Sequence, residues 1–442
     1  MSQSDELRLL NQSFPDRYPF LLQSTAQGGA LGRFDILFAE PGDTLTLSSD
    51  GQLSGSAIGS QSRFLPALDE LWRRERTAPQ QGELPFHGGW FLYLGYELAA
   101  EIEPGLRCHK DPLLPTAFAV RCRAAIILDH LAGTIHRVSE SNDQSFERQV
   151  RDDLAIIGQK RLPVAVPAFD VSEDEPEQFL AAVSRAKQYI EAGDIYQANL
   201  SRQWSVSVAG EVTAERIYAS LCAANPGPFA GIARWRGTSI ISSSPERLLK
   251  VGDGEVSTRP IAGTRPRGAS AKADDALRSE LFAHPKERAE HVMLIDLERN
   301  DLGRISIAGS VEVNEMMVLE SYAHVHHIVS NVRGRLRANV TPGDAIAAVF
   351  PGGTITGCPK VRCMEIISEL ELAPRGAYTG SFGYLNRDGS MDLNILIRTI
   401  VKHGNDLTFR AGAGIVADSD PEAELSEARA KAEGMLRALQ NG

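Results

Sequence analysis

The sequence predicts a mixed fold of strands and helices, α+β or α/β in class, and three observations carry that prediction. Apolar runs of strand length recur along the chain, and stretches with apolar residues at helical spacing lie between them. The composition, 43% hydrophobic and 23% charged over 442 residues, is that of a globular chain able to bury an extensive core. Pattern alone gives no topology.

Before about residue 161 the spacing predicts a helix over 65–74 and strands over 88–94 and 117–128. A boundary follows at about 161–178, where Pro163, Pro167 and Pro176 interrupt regular structure and Ser172 to Glu175 is strongly polar. It divides an N-terminal region, 1–165, from a second unit, 176–440. That unit opens with a helix, because Phe179, Val183, Ala186 and Ile190 recur at helical spacing before Gly193-Asp194. Strands are then expected over 239–243, 323–333, 378–385, 393–401 and 407–412, and helices over about 286–299, 359–371 and 421–439. No internal repeat or low-complexity segment interrupts this order.

A net charge of -11 and a pI near 5.5 argue against a general nucleic-acid or anionic-membrane surface. Met1 to Glu6 shows no basic, apolar leader, and no apolar run approaches ~18 residues. The expectation is a soluble, cytoplasmic protein. Cysteines at 108, 122, 222, 358 and 363 show no C-x-x-C spacing and read as reduced packing residues.

The chemistry concentrates after the boundary. Lys286 to His291 opens a helical run that places Glu287 and Glu290 on neighbouring positions of one face. Asp420-Pro421 reads as an N-cap followed by a first-turn proline, and the helix beyond projects Glu424, Glu427 and Lys431 from one face. Such faces are commonly just solvated, but two facing helices that offer carboxylates are also what Mg²⁺ needs: hard oxygen ligands with positions left open for substrate.

Other segments suit a small dianion. Gly352 to Lys360 has a superficial likeness to a phosphate-binding loop, but Cys358-Pro359 stands where such a loop joins its glycine to lysine, so a nucleotide site is rejected. The better reading is a tight turn into a helix, with Pro359 in its first turn and Thr354 and nearby amides free to donate. Arg398, in a strand-like segment, and Tyr378, at the start of another, are each able to grip a carboxylate. Ala411 to Gly414, after a strand, permits close backbone approach to a ligand. His324, His326 and His327 do not share one strand face, which argues against a three-histidine zinc site.

From about Gln178 to Ala438 the chain resembles the chorismate-utilising enzymes, the family of anthranilate, aminodeoxychorismate, isochorismate and salicylate synthases. The likeness is dense and collinear: Gly193-Asp-Ile-Tyr-Gln197, Ser244-Pro-Glu-Arg247, Pro260-Ile-Ala-Gly-Thr-Arg265, Asp296 to Arg304, Gly357 to Arg362 and Ala411 to Ile415. It implies the family fold, two antiparallel β-sheets packed as a sandwich with outer helices, and a site at one end of it. Carried over residue by residue, it makes Glu290 and Glu427 the Mg²⁺ ligands, with Glu287 and Glu424 in support. Tyr378, Arg398 and the Gly414 amide would hold the enolpyruvyl carboxylate, while Thr354, His327 and Lys431 would line the ring and metal region. Glu246 matches the general acid that protonates the departing 4-hydroxyl, a task that needs a raised pKa. Thr264 is carried over as a catalytic position with its motif.

Two positions divide the family by chemistry. Relatives that add water carry a lysine base where this chain has Gln197, so the resemblance favours amination. Aminodeoxychorismate synthases commonly have a nucleophilic lysine where this chain has Ala262, and anthranilate synthases have alanine. Against that marker, Tyr196 to Leu200, Tyr378 to Tyr384 and Met391 to Arg398 look more like aminodeoxychorismate synthase component I, and Asn225 to Ala230 lacks the Pro-Tyr-Met character of anthranilate synthases. The resemblance therefore implies 4-amination of chorismate in an alanine-motif subclass, through a noncovalent 2-amino intermediate. Anthranilate synthase is the alternative, and a catalytically silent chorismate- or tryptophan-binding homologue a more distant one. No cysteine lies in a Gly-x-Cys-x-Gly elbow, so ammonia is expected from a separate glutamine amidotransferase subunit. The tryptophan-binding Leu-Leu-Glu-Ser segment of relatives is matched by Leu21-Leu-Gln-Ser24, which lacks the carboxylate.

Overall fold

In the computed structural model the described residues are 2–25, 32–55, 61–80, 82–141, 144–158, 169–208, 212–268, 270–283, 285–321 and 325–440. At 262, 264, 266, 271, 283, 285–287, 325 and 440 the backbone alone is described. His324 and the whole Pro163 to Pro167 stretch thus lie outside the described residues.

The N-terminal elements are α1 (Gln3–Ser13), β1 (Phe20–Gln23), β2 (Phe34–Leu47), β3 (Leu53–Gly55), α2 (Phe64–Glu75), β4 (Gly89–Leu94), α3 (Ala99–Ile102), β5 (Ala117–Asp129), β6 (Thr134–Ser139) and α4 (Ser145–Ile157). Then come β7 (Phe169–Glu173), α5 (Pro176–Glu191), β8 (Gln197–Val208), α6 (Ala214–Ala224), β9 (Phe229–Trp235), β10 (Thr238–Ser244), β11 (Arg247–Gly252), β12 (Glu255–Arg259), β13 (Ile261–Pro266), α7 (Ala271–Ala283) and α8 (Pro285–Gly303). The chain closes with β14 (Glu312–Ser321), β15 (Val325–Arg335), α9 (Pro342–Val349), β16 (Gly357–Cys358), α10 (Lys360–Leu370), β17 (Ser381–Asn386), β18 (Met391–Asn394), β19 (Thr399–His403), β20 (Asp406–Ile415) and α11 (Pro421–Gln440).

Every described strand pairing is antiparallel. One run of neighbours is β8-β20-β19-β10-β9-β1-β2-β5, and the other continues β5-β4-β17-β18-β11-β12-β15, with β13 and β14 also on β15. The long antiparallel β2–β5 pair belongs to both. Its register slips between Pro41 and Thr44; β1 pairs before that slip, and β4 pairs with the part of β5 opposite the residues beyond it. A bulge of this kind bends a strand pair, which lets that one pair enter two layers.

Side-chain alternation shows the layers directly. Phe20, Phe38, Phe91, Phe118 and Phe382 share one buried cluster, with Phe20 and Phe91 stacked 4.0 Å apart, whereas their neighbours Leu21, Leu37, Leu92 and Ala119 turn to other clusters. The aromatic cluster is the filling between the sheets, because successive strand residues face opposite ways. Outside, α5, α6 and α11 cover one layer, and α2, α8 and α9 the other. Truncating an inner ring such as Phe38 is expected to cost about 3–5 kcal/mol. The fold is therefore the predicted mixed one, with the two sheets continuous through β2 and β5. Strands from before the 161–178 boundary sit as one block, β1-β2-β5-β4, between strands from after it, since β1 pairs β9 and β4 pairs β17.

Four local expectations are corrected. Tyr378 precedes β17 in a turn, and the stretch expected as one strand over 393–401 breaks between β18 and β19, where Arg398 has φ 51°. Ala411 to Gly414 lies within β20 rather than after it, because the same backbone continues to pair with β8 as far as Ile415. Pro359 is the N-cap of α10 and not part of its first turn. Among the described residues no helix is long and apolar enough to cross a membrane. The five cysteines are free; Cys122, Cys222 and Cys363 are buried, but Cys108 and Cys358 only half so.

Candidate active site

A cavity of about 440 Å³ opens between β13 and β15, the turn before α10, and α11. Its walls include Asn199, Glu246, Gly263, His327, Thr354, Tyr378, Arg398, Arg410 and Lys431. That volume is ample for a small organic ligand.

Each wall is set by a local device. Gly263 has φ 64° and sits where β13 slips register against β15 between Ala262 and Thr264, so the strand bulges at the cavity. The side chains of Ala262 and Thr264 lie outside the described residues; their backbones pair with Ile328 and His327. Tyr378 and Arg398 arrive on two adjacent kinks. Thr379 and Arg398 both hold positive φ, 62° and 51°, and Thr379 N donates to Leu396 O at 2.8 Å while Leu396 N donates to Gly380 O at 2.8 Å. Non-glycine residues enter this conformation only where surrounding bonds enforce it, and such strain gathers at functional sites.

Glu246 follows β10 and is anchored through its backbone: its N–H donates to Ser244 Oγ at 3.2 Å and its carbonyl accepts from Ile395 N at 3.0 Å. Burial pushes its carboxyl up to about 8; Thr354 lies close and pulls the other way, and the Glu298 charge adds to the rise. Neither Glu246 Oε1 nor Thr354 Oγ1 reaches hydrogen-bond geometry with a protein partner. Near neutral pH this carboxyl is therefore protonated. Behind it on α8, burial and Asp301 raise Glu298 to about 7, while Lys360 opposes that rise. Lys360 Nζ bonds Asp301 and donates to Val349 O at 3.0 Å, so the lysine of the superficially phosphate-like loop is turned to the protein.

The other walls are basic or donating. Burial lowers the Arg398 guanidinium, and no carboxylate among the described residues contributes to its shift. Burial, then the Arg398 charge, brings His327 down to about 3, so its imidazole is neutral and is not the acid of this site. Tyr378 is pushed up to about 12 by burial and stays a hydroxyl. Arg410 donates to the buried Glu371 at 3.1 Å, as Arg375 does at 2.7 Å, leaving two guanidinium groups for one carboxylate. Arg375 also stacks on Tyr378, 5.7 Å from its ring centre, and donates to Asn199 O at 2.6 Å. A cavity so lined attracts a small dianion and offers it one protonated acid.

Of the residues singled out in the sequence, Glu246, His327, Thr354, Tyr378, Arg398 and Lys431 meet at this cavity. Gln197 and Gly414 are not among its described walls. Gln197 lies across Gly414, where any β-carbon would meet its Nε2 at 2.3 Å. Glu290 and Glu424 sit on α8 and α11; Glu424 is buried, and Glu427 is half exposed and paired with Lys431 at 2.8 Å. The Glu287 side chain lies outside the described residues. Carboxylate oxygens suit Mg²⁺, but among the described residues no three His, Cys, Asp or Glu groups are gathered as a metal site. Sequence reasoning missed Asn199, Arg410, Arg375, Glu371 and Glu298. Asn199 and Glu298 stood inside quoted motifs; the others become neighbours of the site only through long-range packing.

The chain matches the chorismate binding enzyme family over residues 18–437. Aminodeoxychorismate synthase component 1 of Bacillus subtilis is 41% identical over 84% of this chain and 81% of its own length. Anthranilate synthase component 1 of Pseudomonas aeruginosa is 38% identical over 95% of this chain and 90% of its own. The crystal structure of anthranilate synthase component I from Streptococcus pneumoniae superposes with a TM-score of 0.81 at 32% identity, covering 92% of this chain and 93% of that one.

Proposed function

Since the chain belongs to the chorismate-binding enzyme family, we propose that it is component I of an aminodeoxychorismate synthase, which converts chorismate and ammonia to 4-amino-4-deoxychorismate. One observation carries the choice of position. The segments that resemble this branch, around Asn199, Tyr378 and Arg398, are remote in sequence and converge on the cavity.

The reaction asks for an acid at a leaving hydroxyl and a nucleophile at the ring. Arg398 and Tyr378 bind a carboxylate of chorismate, and Glu246 delivers its proton to the 4-hydroxyl, which departs as water while ammonia bonds to C2. Ammonium formed at C2 loses a proton to restore Glu246. A second ammonia then attacks C4 and expels the first, which leaves as ammonia with the proton that the new C4 ammonium gives up, so that the net change is chorismate plus ammonia to aminodeoxychorismate plus water. Neutral His327 takes no part as acid. Mg²⁺, proposed on Glu290 and Glu427 with Glu287 and Glu424 in support, would supply charge neutralisation at the ring carboxylate. Ammonia is proposed to come from a separate glutamine amidotransferase subunit.

Ala262 favours a second reading, anthranilate synthase component I, and the relatives named above include both activities. Product identification separates the two. Pure protein with chorismate, Mg²⁺ and ammonium should give 4-amino-4-deoxychorismate by chromatography; anthranilate as the product would transfer the chain to the second reading.

A further inference from the structure

We propose that Asn199 holds the ammonia nucleophile, its side-chain oxygen accepting an N–H so that the nitrogen lone pair is left to face the ring; this rests on the amination reading above. Gln197 and Asn199 are two residues apart on β8 and so face the same way. Only Asn199 of the two is a described wall of the cavity. Gln197, at the position that relatives use for water activation, is one step removed and covers Gly414.

The backbone of Asn199 is locked from both sides. Its N–H donates to Thr356 O at 2.8 Å, and its carbonyl accepts from Arg375 Nη2 at 2.6 Å. The side chain therefore has a fixed root beside the cavity. Its Oδ1 is buried without a protein donor, an arrangement that folded proteins rarely retain unless something else supplies one. The nearby walls Tyr378, Arg398, Arg410 and Lys431 are donors, which suit the substrate's carboxylates. An acceptor among them repels a carboxylate and needs a partner that carries hydrogen. Ammonia fits, because it can give one N–H to the amide oxygen and still present its lone pair to carbon.

The test is steady-state kinetics of the full chain with an ammonium salt as nitrogen source, varying ammonium and chorismate separately. Asn199→Leu and Asn199→Ala, which lack the acceptor, should raise the ammonia KM roughly tenfold and leave the chorismate KM unchanged. Asn199→Asp keeps an acceptor oxygen and should hold the ammonia KM near the parent value, while its added negative charge raises the chorismate KM. If the leucine variant does not fold, the alanine variant carries the comparison. An unmoved ammonia KM in Asn199→Ala, or a rise in the chorismate KM instead, overturns the inference alone. A parent protein that forms no aminated product overturns the amination reading and this inference with it.

Discussion

Lys431 Nζ lies 2.8 Å from Glu427 Oε1 and 3.0 Å from the carbonyl of Gly412, so a cation at the cavity wall is tied to a carboxylate proposed for the metal. For Glu427 to bind Mg²⁺ it must exchange that ammonium for the ion.

This exchange sets the first prediction. Glu427→Gln and Glu290→Gln should each abolish activity with little loss of fold, because each removes a formal charge from a hard-cation site. Lys431→Met should tighten Mg²⁺ binding measured by calorimetry, since the competitor for Glu427 is gone. Near-normal turnover of either glutamine variant at limiting Mg²⁺ would show the ligand assignment to be wrong.

Glu246 gives a prediction with two signs. Glu246→Gln should lower the rate roughly 10²–10⁴-fold, and the parent's rate should fall as pH rises through about 8, where the acid loses its proton. The substitution should move stability the opposite way. Between the ordinary value of 4.5 and about 8 the folded state keeps a proton that the unfolded chain has released, so the parent loses stability as pH rises across that window. The glutamine variant should consequently melt above the parent at alkaline pH, with the gap closing toward acid; equal melting curves throughout would contradict a buried acid.

Tryptophan should inhibit weakly or not at all. Gln23 is buried, its Oε1 accepts from Arg8 Nε at 2.8 Å, and its Nε2 donates to Asp35 at 2.8 Å, so both ends of the amide are engaged within the protein. Asp35 itself is shared with Ser4 and His130. A charge-assisted bond to the ligand's ammonium, worth about 1.5–3 kcal/mol, is thereby missing. Inhibition at low micromolar tryptophan would count against this.

Ala262 predicts a reaction without a covalent enzyme adduct. Intact-protein mass spectrometry during turnover should show unmodified chain, and free 2-amino-2-deoxyisochorismate supplied with ammonia should yield the 4-amino product. A lysine adduct of chorismate-derived mass would overturn the noncovalent route.

Much of this was legible in the sequence where the physics is local. The helix beginning at Pro176 and the one beginning at Pro421 followed from apolar spacing and from start signals; Asp420 Oδ1 does accept from Ala423 N at 3.0 Å. Local pattern failed where partners come from far away. The break at Arg398 depends on bonds to the Thr379–Gly380 turn, and nothing in Leu393 to Val401 announces it. Arg410 and Arg375 read as ordinary charges until Glu371, buried against β8, brings them together. Glu246 was found by motif, but its raised pKa needed the burial that only packing supplies.

The shared β2–β5 pair has a consequence for cutting the chain. If residues before the 161–178 boundary were made without the rest, β1 would lose β9 and β4 would lose β17, leaving two open strand edges and one bare aromatic face. Neither fragment would be a smaller protein. Each would be a sticky half whose natural remedy is the other half, so a split version of this chain should regain its shape only by reassembly.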